Sequence, residues 1–316
     1  MNIKPFVQAM LLAAVVLTAC APQAAPTQAP PSEPPPPAAT NPPPPEPSVT
    51  PPPEPTAEPP AAYSPDPVVV TFQAGDGQEL SGTFLPAAVE NAPVVVLMHQ
   101  INMNGTYEWE VIADWLQNRG RLKESYDNPN NETFRDPSWF PAMPAGMPLA
   151  VFYFTFRGCD SPNGCPGFDP KGWQLDAVAA VRTAAAQPGV DPAKVIAIGT
   201  SIGADGAVDG CMLAQAGDGT SRPCLAVMPI SPGGYLNLPY PDTVDAVLAA
   251  GSVNVTCAAP EKESEQKGGC LSYKGEKYAA QIVPKGGHGI YLADPSLSPD
   301  LLSMMLDFLN SALSGG

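Results

Sequence analysis

Gly199-Thr200-Ser201-Ile202-Gly203 follows directly on the apolar run Val195-Ile196-Ala197-Ile198 and leads straight into a helical pattern. A chain that leaves a buried strand and enters a helix around one residue must reverse sharply. That requirement constrains the fold more than any other segment. Such a turn strains the backbone at the serine, and side chains at the two glycine positions would collide with the neighbouring strand and helix. It presents an exposed serine hydroxyl at the head of a helix, whose first N–H groups can receive a developing oxyanion. Gly and Ser also crowd ordinary βα turns. The strand–turn–helix context is what makes Ser201 the candidate nucleophile.

Serine needs a base to take its proton, and histidine serves near neutral pH. The chain has two histidines, His99 and His288. His288 lies in Gly286-Gly287-His288-Gly289, a loop after the strand-like Tyr278–Val283, and it follows the serine in the chain. It is the candidate base, against the plainer reading of a surface-loop histidine. His99 ends the apolar run Val94–Met98 and reads as structural.

The N-terminal part of the chain cannot belong to a globular core. Lys4 precedes an apolar stretch, Phe6 to Ala19, that is too short to span a bilayer. Leu17-Thr18-Ala19-Cys20 resembles the lipobox of bacterial lipoproteins. The resemblance implies a signal peptide over residues 1–19 and lipid on Cys20, which would anchor the protein at a membrane surface, outside the cytoplasm. Residues 20–65 then form a tether. Residues 21 to about 67 hold about half of the chain's 43 prolines, and such a tract builds no core. As polyproline II it would reach on the order of 140 Å at most. The remaining residues, 66–316, suffice for one domain with a large core. The net charge of −16 argues against nucleic acid as a partner.

Six cysteines remain beyond Cys20, and an exported chain can oxidise them. Their spacing suggests three local bridges, Cys159–Cys165, Cys211–Cys224 and Cys257–Cys270. With no C-x-x-C pair, and both histidines otherwise explained, no metal site is expected.

Apolar runs and turn signals predict eight strands: Val68–Phe72, Glu79–Leu85, Val94–His99, Leu149–Phe156, Val195–Thr200, Leu225–Ile230, Val253–Cys257 and Tyr278–Val283. The first two flank an Asp76-Gly77 turn. Helices are expected over Tyr107–Arg119, Trp173–Ala185, Ile202–Ala214 and Asp242–Ala250. A last helix runs to Leu313, with Ser298 as its N-cap and Pro299 at its first position. Strands alternating with helices imply a doubly wound, mainly parallel α/β sheet.

Four landmarks in register carry a family resemblance: Val94–His99, Phe154-Thr155-Phe156-Arg157-Gly158, the turn at Ser201 and Gly-Gly-His288-Gly. Residues 66–313 resemble the α/β-hydrolase superfamily, and most of all small bacterial esterases of the dienelactone-hydrolase type. The resemblance implies Ser201 as nucleophile, His288 as base and an acid shortly after the strand that precedes the histidine strand. Glu261, about four residues beyond the predicted strand end, is the first choice, and Glu263 the second. Asp242 and Asp245 are more distant alternatives. The oxyanion amides would be those of Ile202 and of Gln100 or Ile101, with Ile101 preferred. Gln100 stands where the superfamily commonly has glycine. Arg157 would brace its loop. No large lid domain fits the short connection after Ile230, so an open site is expected, with Tyr235 a candidate wall.

The leading expectation is a cofactor-free serine carboxylesterase acting on small or polymeric esters. A prolyl-oligopeptidase-like peptidase shares the triad, but no propeller segment is read in the sequence. A surface lipoprotein that binds without cleaving is the third reading.

Overall fold

The structure, a computed structural model, describes residues 66–117, 139–144, 146–160, 164–165, 167–215 and 224–315. The signal peptide, Cys20, the proline tether and most of the 121–148 insertion lie outside the described residues.

Among the described residues eight strands form one sheet: β1 (Val68–Gln73), β2 (Glu79–Leu85), β3 (Ala92–Met98), β4 (Ala150–Phe154), β5 (Val190–Thr200), β6 (Ala226–Ile230), β7 (Asn254–Pro260) and β8 (Tyr278–Val283). Their order is β1-β2-β4-β3-β5-β6-β7-β8. β1 and β2 pair antiparallel, as do β2 and β4, and every later pair is parallel. The α-helices of the described residues are α1 (Gly105–Leu116), α2 (Pro170–Ala185), α3 (Ile202–Gln215), α4 (Tyr240–Ala250), α5 (Ser264–Leu271) and α6 (Leu301–Ser314).

Strand periodicity divides the core into two layers. Val94, Val96 and Met98 of β3 pack with residues of α2, α3 and α4 on one face. Val95 and Leu97 pack with α1 and α6 on the other. Both faces of β3, β4 and β6 are covered, which explains why these strands read as unbroken apolar runs. β1 is an edge strand, with Val68 and Val69 exposed.

Three boundary differences matter. β7 continues to Pro260, three residues beyond the expected end, because β8 pairs with it through Pro260↔Val283. The helix α5 was not expected: its Gly268-Gly269 and mixed polarity hide it from periodicity. The N-cap of α6 is Asp300 rather than Ser298, since its carboxylate accepts from Ser303 N at 3.0 Å. The expected helix start was thus two residues early.

Each cysteine pair closes a local loop. Cys159–Cys165 holds the loop after β4, Cys211–Cys224 joins the end of α3 to the start of β6, and Cys257–Cys270 ties β7 to α5. Among the described residues no helix is long and apolar enough to cross a membrane, and no group of three or more His, Cys, Asp or Glu is placed to hold a metal ion.

Candidate active site

Ser201 sits in the left-handed region, at φ 52°, between the last residue of β5 and the first of α3. Side chains on the flanking glycines have no room. A Cβ on Gly199 would strike the Gly203 backbone, and one on Gly203 would strike the carbonyls of Met98 and His99. The close approach of α3 to β3 therefore depends on glycine. Ser201 N donates to Ile230 O at 2.8 Å, which ties the turn to the end of β6.

The expectation of an exposed serine does not hold. Ser201 shows 3 % of its surface. Tyr235, expected as a wall, is half-buried, and its hydroxyl accepts from Gln266 Nε2 at 2.5 Å. Gly289, at φ 58°, packs on Thr200 and on the Gln100 side chain, and its N–H donates to Ser231 Oγ at 2.9 Å. Ile290 N donates to Gln100 Oε1 at 3.2 Å.

His288 Nδ1 lies 2.7 Å from Glu263 Oε2. Glu263, the second choice from sequence, is thus the carboxylate beside the histidine. Glu261 is corrected to a surface position at the strand end: it is exposed, and its N–H continues the sheet by donating to Val283 O at 2.8 Å. The reason is the longer β7. With the strand ending at Pro260, the residue a few places beyond it is Glu263, at the N-cap position of α5. Asp242 lies in the first turn of α4, and the Asp245 carboxylate accepts from the Tyr273 hydroxyl.

Ile202 N is the first amide of α3 and has no intrahelical acceptor to reach. Of the two amides considered after His99, that of Gln100 is occupied: it donates to Glu108 Oε2 at 2.9 Å. The amide of Ile101, in the same loop, is the remaining one of the pair. Asn102 follows at φ 64°, and a Cβ on Gly164 would strike its backbone, so the Cys159–Cys165 loop packs directly on this segment.

His99 is a core residue. Nε2 accepts from Phe156 N at 3.0 Å, so Nδ1 carries the proton and donates to Gln100 O at 2.8 Å. Burial pushes its pKa down to about 4. Arg157 braces its loop by forking onto two carboxylates, Asp76 at 2.5 and 2.9 Å and Asp176 at 2.9 and 2.7 Å. The guanidinium holds Asp76 down to about 2. The β1–β2 hairpin, α2 and the loop after β4 are joined through this one side chain.

Three buried acids surround the turn, and periodicity did not mark them as functional. Glu108, on α1, accepts from Gln100 N and from the Thr200 hydroxyl, and burial raises its pKa to about 8. Asp205 and Asp209, one and two turns beyond Ser201 on α3, are raised by burial to about 6 and about 7. These groups take up protons on folding. Their stabilising contribution is complete below the unfolded carboxyl pKa and is lost as pH rises through the folded value. Buried neutral His99 acts oppositely, but only below its unfolded pKa of 6.5. Stability is therefore expected to fall between pH 6.5 and 8, and Glu108→Gln should flatten that slope. Calorimetric melting across the range checks this; a midpoint that rises toward pH 8 contradicts it.

The sequence matches no protein-family profile and no curated protein sequence. Solved structures do match. An α/β hydrolase, GrgF from Penicillium sp. sh18, aligns with TM-score 0.54 at 15 % identity over 79 % of this chain and 99 % of its own. A hyperthermophilic esterase from the archaeon Pyrobaculum calidifontis aligns with TM-score 0.53 at 14 % identity over 80 % and 87 %. Esterase Est22 aligns with TM-score 0.51 at 16 % identity over 78 % and 80 %. At such identities the likeness establishes the α/β-hydrolase fold.

Proposed function

We propose that this protein is a serine carboxylesterase, of the dienelactone-hydrolase type in its landmarks, that works outside the cytoplasm through an acyl-enzyme on Ser201. The observation that carries the reading is a strained serine after β5 and, on the same side of the sheet, His288 held by Glu263 at 2.7 Å. β5, β7 and β8 run parallel, with β6 between β5 and β7, so their carboxyl ends lie on the same side of the sheet, where ligands of such folds bind. That structurally similar proteins include named esterases adds support.

In this mechanism Glu263 accepts a hydrogen bond from His288 Nδ1–H, which leaves Nε2 as the base. Ser201 gives its proton to Nε2 while Oγ bonds to the ester carbon, and the carbonyl π pair moves to an oxygen held by the amides of Ile202 and Ile101. Collapse expels the alcohol, which takes the proton from His288. Water then repeats the sequence: its proton passes to His288, its oxygen bonds to the acyl carbon, and Oγ leaves with that proton. No cofactor is required. The substrate is a small or polymeric carboxylic ester. The Cys20 lipid would hold the domain at a bacterial membrane through the proline tether, and three disulfides suit an oxidising compartment.

A fluorophosphonate probe tests the reading. It should label the wild type and not Ser201→Ala, and short-chain esters should be cleaved in preference to peptide amides. An unlabelled wild type, or cleavage confined to peptides, overturns it. Mass spectrometry of the mature N terminus tests the lipid on Cys20; an unmodified terminus elsewhere refutes the anchor.

A further inference from the structure

We propose that Glu108 and Gln100 are positioning residues, whose side chains form a buried clamp that holds the Ile101 amide, the Ser201 turn and the loop of His288 in one geometry. The inference rests on the serine mechanism above. It deepens that reading by assigning what fixes the reacting groups relative to one another.

The clamp begins at the backbone of Gln100, where both flanking peptide groups are pinned. Gln100 N donates to Glu108 Oε2 at 2.9 Å. Gln100 O accepts from His99 Nδ1 at 2.8 Å. The peptide that begins with this carbonyl ends in the N–H of Ile101. A trans peptide is planar, with C=O and N–H opposed, so a fixed carbonyl fixes the direction of the amide. The Ile101 N–H is therefore aimed in advance and need not reorganise when charge develops.

Glu108 reaches the second segment with its other oxygen. Oε1 accepts from the hydroxyl of Thr200, the last residue of β5 and the immediate neighbour of Ser201. The helix start makes this reach possible. Asn104 caps α1 by accepting from Tyr107 N at 2.8 Å. Gly105 lets the first turn lie on the end of β4, since a Cβ there would strike the Phe154 backbone. Glu108, in that turn, shows 2 % of its surface. A buried carboxylate is costly unless hydrogen bonds offset its lost hydration. Leucine would fill the volume more cheaply. What the acid adds is two strong acceptors aimed at two different segments.

The Gln100 side chain reaches the third segment. Its Oε1 accepts from Ile290 N at 3.2 Å, and a Cβ on Gly289 would strike the same oxygen. Gly289 and Ile290 directly follow His288 and open a short 3₁₀ turn, Gly289–Ala293. A glycine at position 100, common in the superfamily, would leave the Ile290 amide without this acceptor. Ile101, Ser201 and His288 thus each lie within two residues of a clamped atom, although Gln100 and Ile290 are 190 residues apart in the chain.

The test compares kcat and KM on a p-nitrophenyl ester with inhibition by an alkyl trifluoromethyl ketone. Active sites are counted by the end point of fluorophosphonate labelling. Ser201 Oγ adds to the ketone carbon, its proton passes to His288, and the oxyanion formed lies on the amides of Ile202 and Ile101. The inhibitor thus reports amide placement without turnover. Glu108→Leu should lower kcat per labelled site by about 10²-fold and raise Ki by a like factor, with KM little changed. Gln100→Met keeps the volume and removes the acceptor. It should lower kcat by about tenfold, and it provides the readout if Glu108→Leu does not fold. Glu108→Gln should keep kcat within about threefold of wild type, because its amide oxygen accepts from Gln100 N while its NH₂ donates to the Thr200 hydroxyl. A folded Glu108→Leu or Gln100→Met with wild-type kcat and Ki overturns the clamp, even where its melting temperature falls. So does a Glu108→Gln enzyme as impaired as Glu108→Leu. Ser201→Ala separates the two levels. If it is inactive while the clamp variants keep full kcat, only the positioning role fails. If Ser201→Ala retains turnover, the serine mechanism itself fails.

Discussion

Ser201→Ala and His288→Ala are each expected to reduce turnover of a p-nitrophenyl short-chain ester by on the order of 10⁴-fold or more, with the fold retained. The two side chains work as one unit, since the hydroxyl is a poor nucleophile without the base and the imidazole has nothing to deprotonate without the hydroxyl. The double variant should therefore be no worse than either single one. Ser201 is at φ 52°, and alanine keeps the strained backbone that serine already carries, so the melting temperature should stay near wild type while activity is lost. Activity within about tenfold of wild type in either single variant would remove the assignment, because so small a loss is only ~1.4 kcal/mol of transition-state stabilisation.

The second large effect is at the carboxylate. Glu263→Gln should lower kcat by roughly 10²- to 10⁴-fold, since an amide in place of the carboxylate no longer favours the working tautomer or the imidazolium. Glu261→Gln should leave kcat near wild type, because its side chain is exposed and only its backbone takes part, at 2.8 Å from Val283 O. The Cys257–Cys270 bridge closes the loop that carries Glu263. Its removal by paired Cys→Ala substitution should cost about 3 kcal/mol in the chain-entropy view of a loop this short. It should also lower kcat more than it raises KM, because a mobile carboxylate no longer orients His288. A dead Glu261→Gln beside a healthy Glu263→Gln would reverse this picture. A non-reduced peptide map that pairs Cys257 with Cys159 or Cys224 would equally exclude the closed loop.

The error over Glu261 shows how a local reading slips. Val253–Cys257 stands out as a strand because its β-branched residues contrast with the small and charged residues after Cys257. Ala258, Ala259 and Pro260 carry little strand propensity, and only the parallel ladder to β8 keeps them in the sheet. A three-residue error at the strand end moved the expected acid by two. Glu108 is another case. It lies in an amphipathic helix as one acid among several, and nothing in the periodicity distinguishes it from the neighbouring Glu110. Its burial follows from where α1 crosses the turn, next to Thr200 and Gln100.

The features legible in the chain alone were local in origin. The alternation of apolar runs with helical patterns specified a doubly wound sheet, and the Gly-x-Ser-x-Gly turn specified where strand must pass to helix. The short cysteine spacings suggested the three loop closures that the structure contains. Each depends on residues close in the chain, where backbone sterics and side-chain period suffice. Which carboxylate meets His288 and how deeply Ser201 is buried depend instead on long-range packing. Glu263 and His288 are 25 residues apart, Tyr235 and Gln266 are 31 apart, and Thr200 and Glu108 are 92 apart. Those distances in sequence are closed by the sheet order, which brings the ends of β5, β6, β7 and β8 together in space.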